Sequence, residues 1–233
     1  MLPLHFQIRT ALISAPASLS PTHRLSCLDP RMRKPEKIIP VILAAGSSQS
    51  LQFPKALARF GTQTALEIAL QNCFSLPSAL VVLGAEADRI VPAIPKKTKI
   101  VLNPRWPDGQ LTSLQAALRH IPRDAAFLIY PVDLALLRQR TVALLVRAFR
   151  TRTPPQEIIM PCHNGAYGHP VIVSPAVRPE FFSAMTAREV IYRFPERIRV
   201  LNLRSGSIFE DFHDPESYKA CLRKFRARKT KGI

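Results

Sequence analysis

The feature that most constrains this chain is an apolar segment that ends in a turn of small residues. Residues Ile38–Leu43 are apolar almost without interruption, which is typical of a strand buried on both faces. The residues that follow, Ala44–Ser48, are all small, and Lys55 comes shortly after them. Small residues let backbone N–H groups approach an anion, and a lysine adds positive charge. The segment therefore indicates either a phosphate or nucleotide site or a tight turn between a strand and a helix.

Patterns typical of strands and helices alternate from Ile38 onward. This alternation predicts an α/β fold of three layers, Rossmann-like, in which helices cover both faces of a mostly parallel central sheet. The turn residues Asn164-Gly165 predict a hairpin-like excursion late in the chain. The predicted strands are Ile38–Leu43, Ala79–Leu83, Lys99–Leu102, Ala125–Pro131, Glu157–Met160, Pro170–Val173 and Ile198–Leu203. The predicted helices are Thr64–Cys73, Ala87–Ala93, Leu111–His120 and Arg138–Arg150.

Three loops are expected to meet at one edge of this sheet. They are Leu43–Lys55, Asn103–Ser113 and Pro131–Leu137, and each follows a predicted strand. Ligands of open α/β sheets bind outside the carboxyl ends of the strands. We therefore expect the functional site where these three loops converge.

The second and third loops each carry candidate binding residues. In the second, Gly109 permits a close approach, and Thr112 or Ser113 can cap the helix that follows or contact a bound group. In the third, Asp133 comes just after a buried strand. An aspartate in this position is either a turn or capping residue or, beside a phosphate loop, a candidate Mg²⁺ ligand.

The two ends of the chain differ from its middle. Residues 1–37 are rich in Pro, Ser, Arg and His, and their only acidic residues are Asp29 and Glu36. We interpret them as a disordered leader or as the product of a misassigned start, with translation beginning at Met32, rather than as a cleaved targeting peptide. One domain is expected over 38–222, followed by a basic C-terminal tail, 223–233.

The chain is strongly basic, with 33 Lys and Arg against 16 Asp and Glu and a formal net charge of +17. Such a charge attracts anionic partners at long range. The densest cluster is 223–233, which is typical either of a solvated, frayed end or of a segment that binds nucleic acid or another anion. The cluster contains one aromatic residue, Phe225, and the chain has no signature of a known nucleic-acid-binding fold, so a nucleic acid is the less favoured partner.

The cysteines and the hydropathy indicate a reduced, cytoplasmic protein. The four cysteines, Cys27, Cys73, Cys162 and Cys221, include no CxxC pair, which argues against a zinc site and for buried thiols. No apolar stretch reaches the roughly 18–20 residues that a membrane helix needs, so we expect no membrane partner.

Six segments in a fixed order resemble the MobA-like nucleotidyltransferases, and the nearest group is the molybdenum cofactor cytidylyltransferase and guanylyltransferase type. The family opening L-A-A-G-x-S-x-R-M-G-x-x-K is similar to Leu43–Lys55, and the family aspartate in P-V-D-x-P-L is similar to Asp133. The resemblance extends from Ile38 to Tyr218. Its other four segments are Gly109–Ser113, Gly168–Val171, Ala187–Ile191 and Asp211–Tyr218.

The resemblance implies the nucleotide-diphospho-sugar transferase fold and a defined reaction. A nucleoside monophosphate would pass from an NTP, CTP or GTP, to a phosphorylated acceptor such as molybdopterin, with Mg²⁺ as cofactor and pyrophosphate as product. The residues that it implies are Lys55 and Asp133 for catalysis; Leu43, Ala44, Ala45, Gly46, Ser47, Lys55, Gly84, Gly109 and Ser113 for nucleotide binding; Asp133 and Asp211 for the metal; and His169 for the substrate.

The chain departs from the family pattern at three positions. The arginine and the glycine of the first segment are Ser50 and Gln52, and the second aspartate of the last segment is His213. A histidine is a poor ligand for Mg²⁺, which prefers oxygen, so Asp211 or Asp214 is the expected substitute. The alternative hypothesis is a catalytically degenerate member that acts as a nucleotide- or cofactor-binding module.

Overall fold

A computed structural model describes residues 36–230 of the chain, and the side chains of 36–228. The predicted leader, 1–37, therefore lies outside the described residues except for Glu36 and Lys37. The end of the basic segment, 231–233, lies outside them as well.

The described residues form ten strands and six α-helices, joined by short 3-10 turns. The strands are β1 (Ile38–Ala44), β2 (Arg59–Phe60), β3 (Gln63–Thr64), β4 (Leu80–Leu83), β5 (Lys99–Leu102), β6 (Ala126–Pro131), β7 (Ile158–His163), β8 (Ala166–Tyr167), β9 (Val171–Val173) and β10 (Ile198–Asn202). The helices are α1 (Ala65–Asn72), α2 (Ala87–Ile90), α3 (Gln110–Leu118), α4 (Gln139–Arg150), α5 (Ala187–Tyr192) and α6 (Pro215–Thr230).

The main sheet has the strand order β10-β7-β9-β6-β1-β4-β5. Strand β1 lies between β6 and β4 and is parallel to both, and β4 is parallel to β5. Only β9 and the short β8 run against the others, and β8 is joined to β7 by the turn at Asn164-Gly165. The predicted α/β fold with a mostly parallel sheet and a late hairpin is thus confirmed.

The two faces of β1 belong to separate apolar cores because successive side chains of a strand point to opposite faces. Ile42 and Ala44 pack with α1 and α4 on one face. Val41 and Leu43 pack with α3 and α5 on the other. Helices on both faces bury the whole strand, which explains why its sequence lacks the polar alternation of a half-exposed strand.

A third apolar cluster packs the C-terminal helix, α6, against β2 and the loop that follows β1. Phe60 of β2 and Phe212 are both fully buried, and their ring centroids lie 5.5 Å apart. Phe225 of α6 packs against Phe60 at 5.6 Å, and Leu51 of the first loop belongs to the same cluster. Helix α6 therefore supports the loop that follows β1.

Several elements differ from the sequence prediction. The helix predicted over Ala87–Ala93 is one α-helical turn, α2, followed by a 3-10 turn. The basic segment 223–233 continues α6 as far as Thr230, and Arg228 donates a hydrogen bond of 2.6 Å to the carbonyl of Leu136. The short strands β2 and β3 and helices α5 and α6 were not predicted, because their apolar residues are few and widely separated.

The described cysteines Cys73, Cys162 and Cys221 are buried and free. Burial raises the pKa of Cys73 to about 12 and contributes most to raising that of Cys221 to about 11, so both thiols stay protonated at neutral pH. Among the helices that the structure describes, none has the length and apolar character needed to cross a membrane.

The N-terminus of α1 offers a test of local stability. Thr64 caps the helix by accepting a hydrogen bond from the Glu67 backbone, and the Glu67 carboxylate accepts one of 2.6 Å from the Thr64 backbone. We expect Thr64→Ala to lower the free energy of unfolding by about 1 kcal/mol in urea denaturation. The exposed Thr62→Ala is the control, and an equal effect of the two substitutions would contradict the capping role.

The end of α6 offers a second test. A chain that stops after Leu222 loses Phe225 and Arg228, which bury apolar surface and hydrogen-bond Leu136. We expect this truncation to lower the free energy of unfolding by at least about 2 kcal/mol. A chain that stops after Thr230 is the control and should match the full chain. Equal stability of all three chains would show that 223–230 is a dispensable tail.

Candidate active site

A cavity of about 230 Å³ opens at the carboxyl ends of β1, β4, β5 and β6. The three loops that the sequence predicted to converge all contribute to its walls, and a fourth segment after β4 joins them. The lining residues are Leu43, Ala44, Ala45, Gly46, Ser47, Ser48, Lys55, Ala56, Glu86, Ile90, Trp106, Gln110, Ser113, Pro131, Val132 and Asp133.

The first loop is held in shape by its own residues. The buried Ser48 accepts a 2.9 Å hydrogen bond on its hydroxyl from the backbone N–H of Lys55. Its carbonyl accepts another, of 2.7 Å, from Leu51, which is anchored in the third cluster. Both ends of the loop are thereby fixed without Ser50 or Gln52, which are exposed to solvent.

Lys55 and Asp133 form an ion pair at the mouth of the cavity. The Lys55 Nζ lies 3.1 Å from the Asp133 Oδ2, and the two side chains are 24% and 19% exposed. The sequence indicated that Asp133 is either a turn residue or a metal ligand. In the structure it pairs with the lysine of the first loop, 78 positions away in the chain. This pair joins two of the three predicted loops.

The loop that carries Asp133 is held by a buried polar network. The amide of Asn72, at the end of α1, donates hydrogen bonds of 3.0 Å to the Tyr130 hydroxyl and to the Leu137 carbonyl. Between these points, the Val132 N–H donates to the Leu43 carbonyl at 3.1 Å. Burial raises the pKa of Tyr130, so its hydroxyl remains a neutral partner in this network. Asp133 is therefore presented from a fixed loop.

The second loop is organised by Asn103 rather than by a helix cap. The buried Asn103 amide donates hydrogen bonds of 2.9 Å to the hydroxyls of both Thr112 and Ser113. Gly109 occupies the N-cap position of α3, where no side chain caps the helix. The expectation that Thr112 or Ser113 caps the helix is therefore wrong, because both hydroxyls already serve Asn103. Ser113 still lines the cavity.

The predicted glycines occupy different positions around the cavity. Gly46 lies on its wall, and a Cβ added there would meet no atom within 4 Å. At Gly84, an added Cβ would lie 2.5 Å from the Ala45 carbonyl oxygen and 2.7 Å from the Trp106 side chain, so close packing requires glycine. Gly109 has φ 107°, a left-handed conformation that favours glycine, and precedes Gln110 on the wall. Neither Gly84 nor Gly109 is itself among the lining residues.

His169 lies close enough to Asp133, and close enough to Asp211, to interact electrostatically with each of them. Burial lowers the pKa of His169, and the negative charges of Asp133 and Asp211 oppose that effect. The histidine is half-buried, and its backbone N–H donates 2.8 Å to the Ile208 carbonyl. Neither His169 nor Asp211 is among the residues that line the cavity.

The carboxylate of Asp214 has a structural role at the start of α6. The Asp214 carboxylate accepts a 2.7 Å hydrogen bond from the backbone N–H of Ser217 and so caps α6. These hydrogen bonds also lower the pKa of Asp214. The exposed His213 ring lies 3.2 Å from the same carboxylate. The Asp211 carboxylate makes no such bond within the described residues.

The donor set around Asp133 fits Mg²⁺. The cavity lining carries one lysine and two carboxylates, so a bound triphosphate would need additional positive charge. Magnesium is usually held by one or two carboxylates together with substrate phosphates and water. Asp133 supplies one such carboxylate in the wall of the cavity. Within the described part of the chain, no group of three or more His, Cys, Asp or Glu residues is placed to hold a metal.

Sequence reasoning placed the second loop, after β5, at the site but did not single out four side chains of the walls that follow β4 and β5. Glu86, Ile90, Trp106 and Gln110 all line the cavity. Trp106 is the only tryptophan of the chain, but its position after a strand carried no signal of its own. Glu86 was missed because its contribution depends on the neighbouring strand order, which brings the end of β4 next to β1.

Comparisons with known proteins agree with the motifs. Residues 40–197 match the model of the MobA-like NTP transferase domain. The chain is 25% identical over 179 residues to the molybdenum cofactor cytidylyltransferase of Escherichia coli (strain K12), which covers 76% of this chain and 83% of that protein.

Solved structures share the fold at low sequence identity. Rv0371c from Mycobacterium tuberculosis H37Rv has a TM-score of 0.71 at 21% identity, over 82% of this chain and 100% of that one. The complex of the same protein with manganese has a TM-score of 0.68, with the same identity and coverage. The CTP complex of CMP:2-keto-3-deoxy-manno-octonic acid synthetase has a TM-score of 0.66 at 14% identity. The match covers 85% of this chain and 100% of that one. These likenesses confirm the predicted nucleotide-diphospho-sugar transferase fold.

The family match spans well over half of the chain and includes the first, second and third loops of the cavity. The resemblance carried by the six sequence segments is thereby confirmed. This chain belongs to the MobA-like NTP transferase domain family, a family of nucleotidyltransferases.

Proposed function

We propose that this protein transfers a nucleoside monophosphate from CTP or GTP to a phosphorylated acceptor, of which molybdopterin is the leading candidate, and releases pyrophosphate. The observation that carries the proposal is the Lys55–Asp133 pair at 3.1 Å, at the mouth of a cavity walled by small residues. The name of the Escherichia coli relative supports molybdopterin as acceptor. We place the reaction in the cytoplasm, in keeping with the free, buried cysteines.

The first loop would bind the phosphates of the nucleotide. Backbone N–H groups of Ala45, Gly46 and Ser47 can approach an anion closely because no large side chain shields them. Gly46 has open space beside it, whereas a larger residue there would project into that space. Leu43 and Ala44 continue the same wall. The loop is fixed by Ser48, so little ordering free energy would be lost on binding.

Lys55 would stabilise the charge that develops on the α-phosphate in the transition state. Its backbone is tied to Ser48 and its Nζ to Asp133, so the charge is positioned before the substrate arrives. Preorganised charge of this kind is a major contributor to catalysis by enzymes. The chain needs no general base, because the terminal phosphate of the acceptor is already anionic.

Asp133 and Asp211 would hold the divalent metal, and the solved manganese complex of the structurally similar Rv0371c supports a metal of this class. When bound, Mg²⁺ supplies positive charge to the phosphates of the nucleotide. His169 would contact the acceptor. Burial lowers its pKa, so at neutral pH it would offer a neutral imidazole that both donates and accepts hydrogen bonds.

A module that binds nucleotide without turnover is the second candidate. It is favoured by the exposed Ser50 and Gln52, which supply no cation to the phosphates, and by His213, which contacts Asp214. The two candidates differ in one observable, since only the transferase releases pyrophosphate.

Substitution of the ion pair tests the proposed reaction. With CTP or GTP, Mg²⁺ and molybdopterin, we expect Lys55→Ala and Asp133→Asn each to slow pyrophosphate release by about 10²–10³-fold, because each removes preorganised charge. Lys97→Ala and Asp124→Asn are matched controls at exposed positions and should keep the wild-type rate. Nucleotide binding by the wild type without pyrophosphate from either nucleotide would favour the binding module instead.

Substitutions of the two aspartates near His213 distinguish metal binding from helix capping. In Mn²⁺ titrations followed by water-proton relaxation with nucleotide present, we expect Asp211→Ala to weaken Mn²⁺ binding by at least about tenfold, as expected on loss of one charged ligand. Asp214→Ala should leave Mn²⁺ binding unchanged but lower the urea concentration at which the protein unfolds, because it removes the α6 cap. The reverse pattern would show that Asp214 is the ligand.

A further inference from the structure

The wall of the cavity opposite the Lys55–Asp133 pair carries a glutamate that the proposed reaction does not use. Strands β6 and β4 flank β1 on its two sides, so Asp133, after β6, and Glu86, after β4, approach the first loop from opposite sides. If the phosphates lie at Lys55, the remaining part of the nucleotide extends toward Glu86. The base of the nucleotide is therefore the part that meets this residue.

Glu86 holds a carboxylate oxygen with no partner. Its Oε1 accepts a 3.1 Å hydrogen bond from Arg89, whereas its Oε2 is shielded from solvent and accepts none from the described residues. Leaving a buried acceptor unpaired costs about 1–3 kcal/mol, and more for a charged one. In the described part of the chain, the other buried side-chain oxygen without a hydrogen bond is Oε2 of Glu180, but an ion pair with Arg193 at 3.6 Å compensates that charge.

The surroundings of Glu86 suit a flat ring with a donor on its edge. Trp106 is partly buried and Ile90 almost fully, and both line the cavity with Glu86. Aromatic and apolar walls accept the faces of a base. Glu86 belongs to the wall of the cavity and Arg89 engages only its Oε1, so Oε2 is the oxygen left to accept a hydrogen bond from a bound ring.

We propose that the Glu86 carboxylate accepts a hydrogen bond from the 4-amino group of cytosine and thereby selects CTP. This inference rests on the proposed function. A carboxylate only accepts hydrogen bonds, so the 4-oxo group of uracil would face it acceptor to acceptor. Guanine would use its N1–H and 2-amino group on both carboxylate oxygens, but Arg89 already holds Oε1. One unpaired oxygen therefore matches the single amino group of cytosine.

The test is a comparison of dissociation constants for CTP, UTP and GTP, measured by isothermal titration with Mg²⁺ and the full chain. We expect the wild type to bind CTP at least about tenfold more tightly than UTP, as one charge-assisted hydrogen bond allows. In Glu86→Gln the dissociation constants for CTP and UTP should differ by no more than about threefold, because the amide of glutamine offers both a donor and an acceptor. Glu180→Gln, the matched buried glutamate outside the cavity, should keep the wild-type ratio.

A second variant tests the reason for rejecting GTP. Arg89 is exposed and pairs only with Glu86 among the described residues, so Arg89→Ala frees Oε1 without disturbing the core. We expect its GTP affinity to rise relative to CTP by several-fold, and this variant serves even if Glu86→Gln fails to fold.

The outcomes are distinct. Equal binding of CTP and UTP by the wild type, an unchanged ratio in Glu86→Gln, or a lost ratio in Glu180→Gln would each overturn the role of Glu86 and leave the proposed transfer reaction standing. A wild type that binds none of the three nucleotides would overturn the proposed function together with this inference.

Discussion

The position of β1 between two parallel neighbours is the constraint on which the rest of this molecule depends. Its apolar side chains fill both cores, so it cannot slip by one residue without exchanging the two sets. Because β4 and β6 run parallel to it, their carboxyl ends open on the same edge as the small-residue loop. Lys55, Glu86 and Asp133 therefore meet around one cavity although they are far apart in sequence.

The interaction that completes the site is the ion pair between Lys55 and Asp133. It links the loop after β1 to the loop after β6 and is supported by Ser48 on one side and by Asn72 and Tyr130 on the other. All of these supports lie away from Ser50 and Gln52, the positions where the chain departs from the family pattern. The hydrogen bonds that hold the first loop therefore do not involve these two side chains.

The sequence was informative where local pattern and global fold agree. The strand Lys99–Leu102 and the turn Asn164-Gly165 follow from short-range rules, and the structure has both in the expected places. Helix α6 was missed because its apolar residues are separated by basic ones, and its stability comes from long-range packing on Phe60. Glu86 could not be found from the sequence, since an unpaired oxygen depends on every neighbour in three dimensions. Only the capping role suggested for Thr112 or Ser113 is wrong, because α3 begins at Gln110 and both hydroxyls accept hydrogen bonds from Asn103.

The central claim is that the cavity transfers a nucleotidyl group rather than merely holding a nucleotide. The most direct measurement follows radioactive phosphate from CTP or GTP labelled either at the α- or at the γ-position, with molybdopterin as acceptor. The account predicts that the α-label appears in the acceptor while the γ-label leaves in pyrophosphate. Retention of the α-label in the unreacted nucleotide, for both CTP and GTP and with nucleotide bound to the protein, would contradict it.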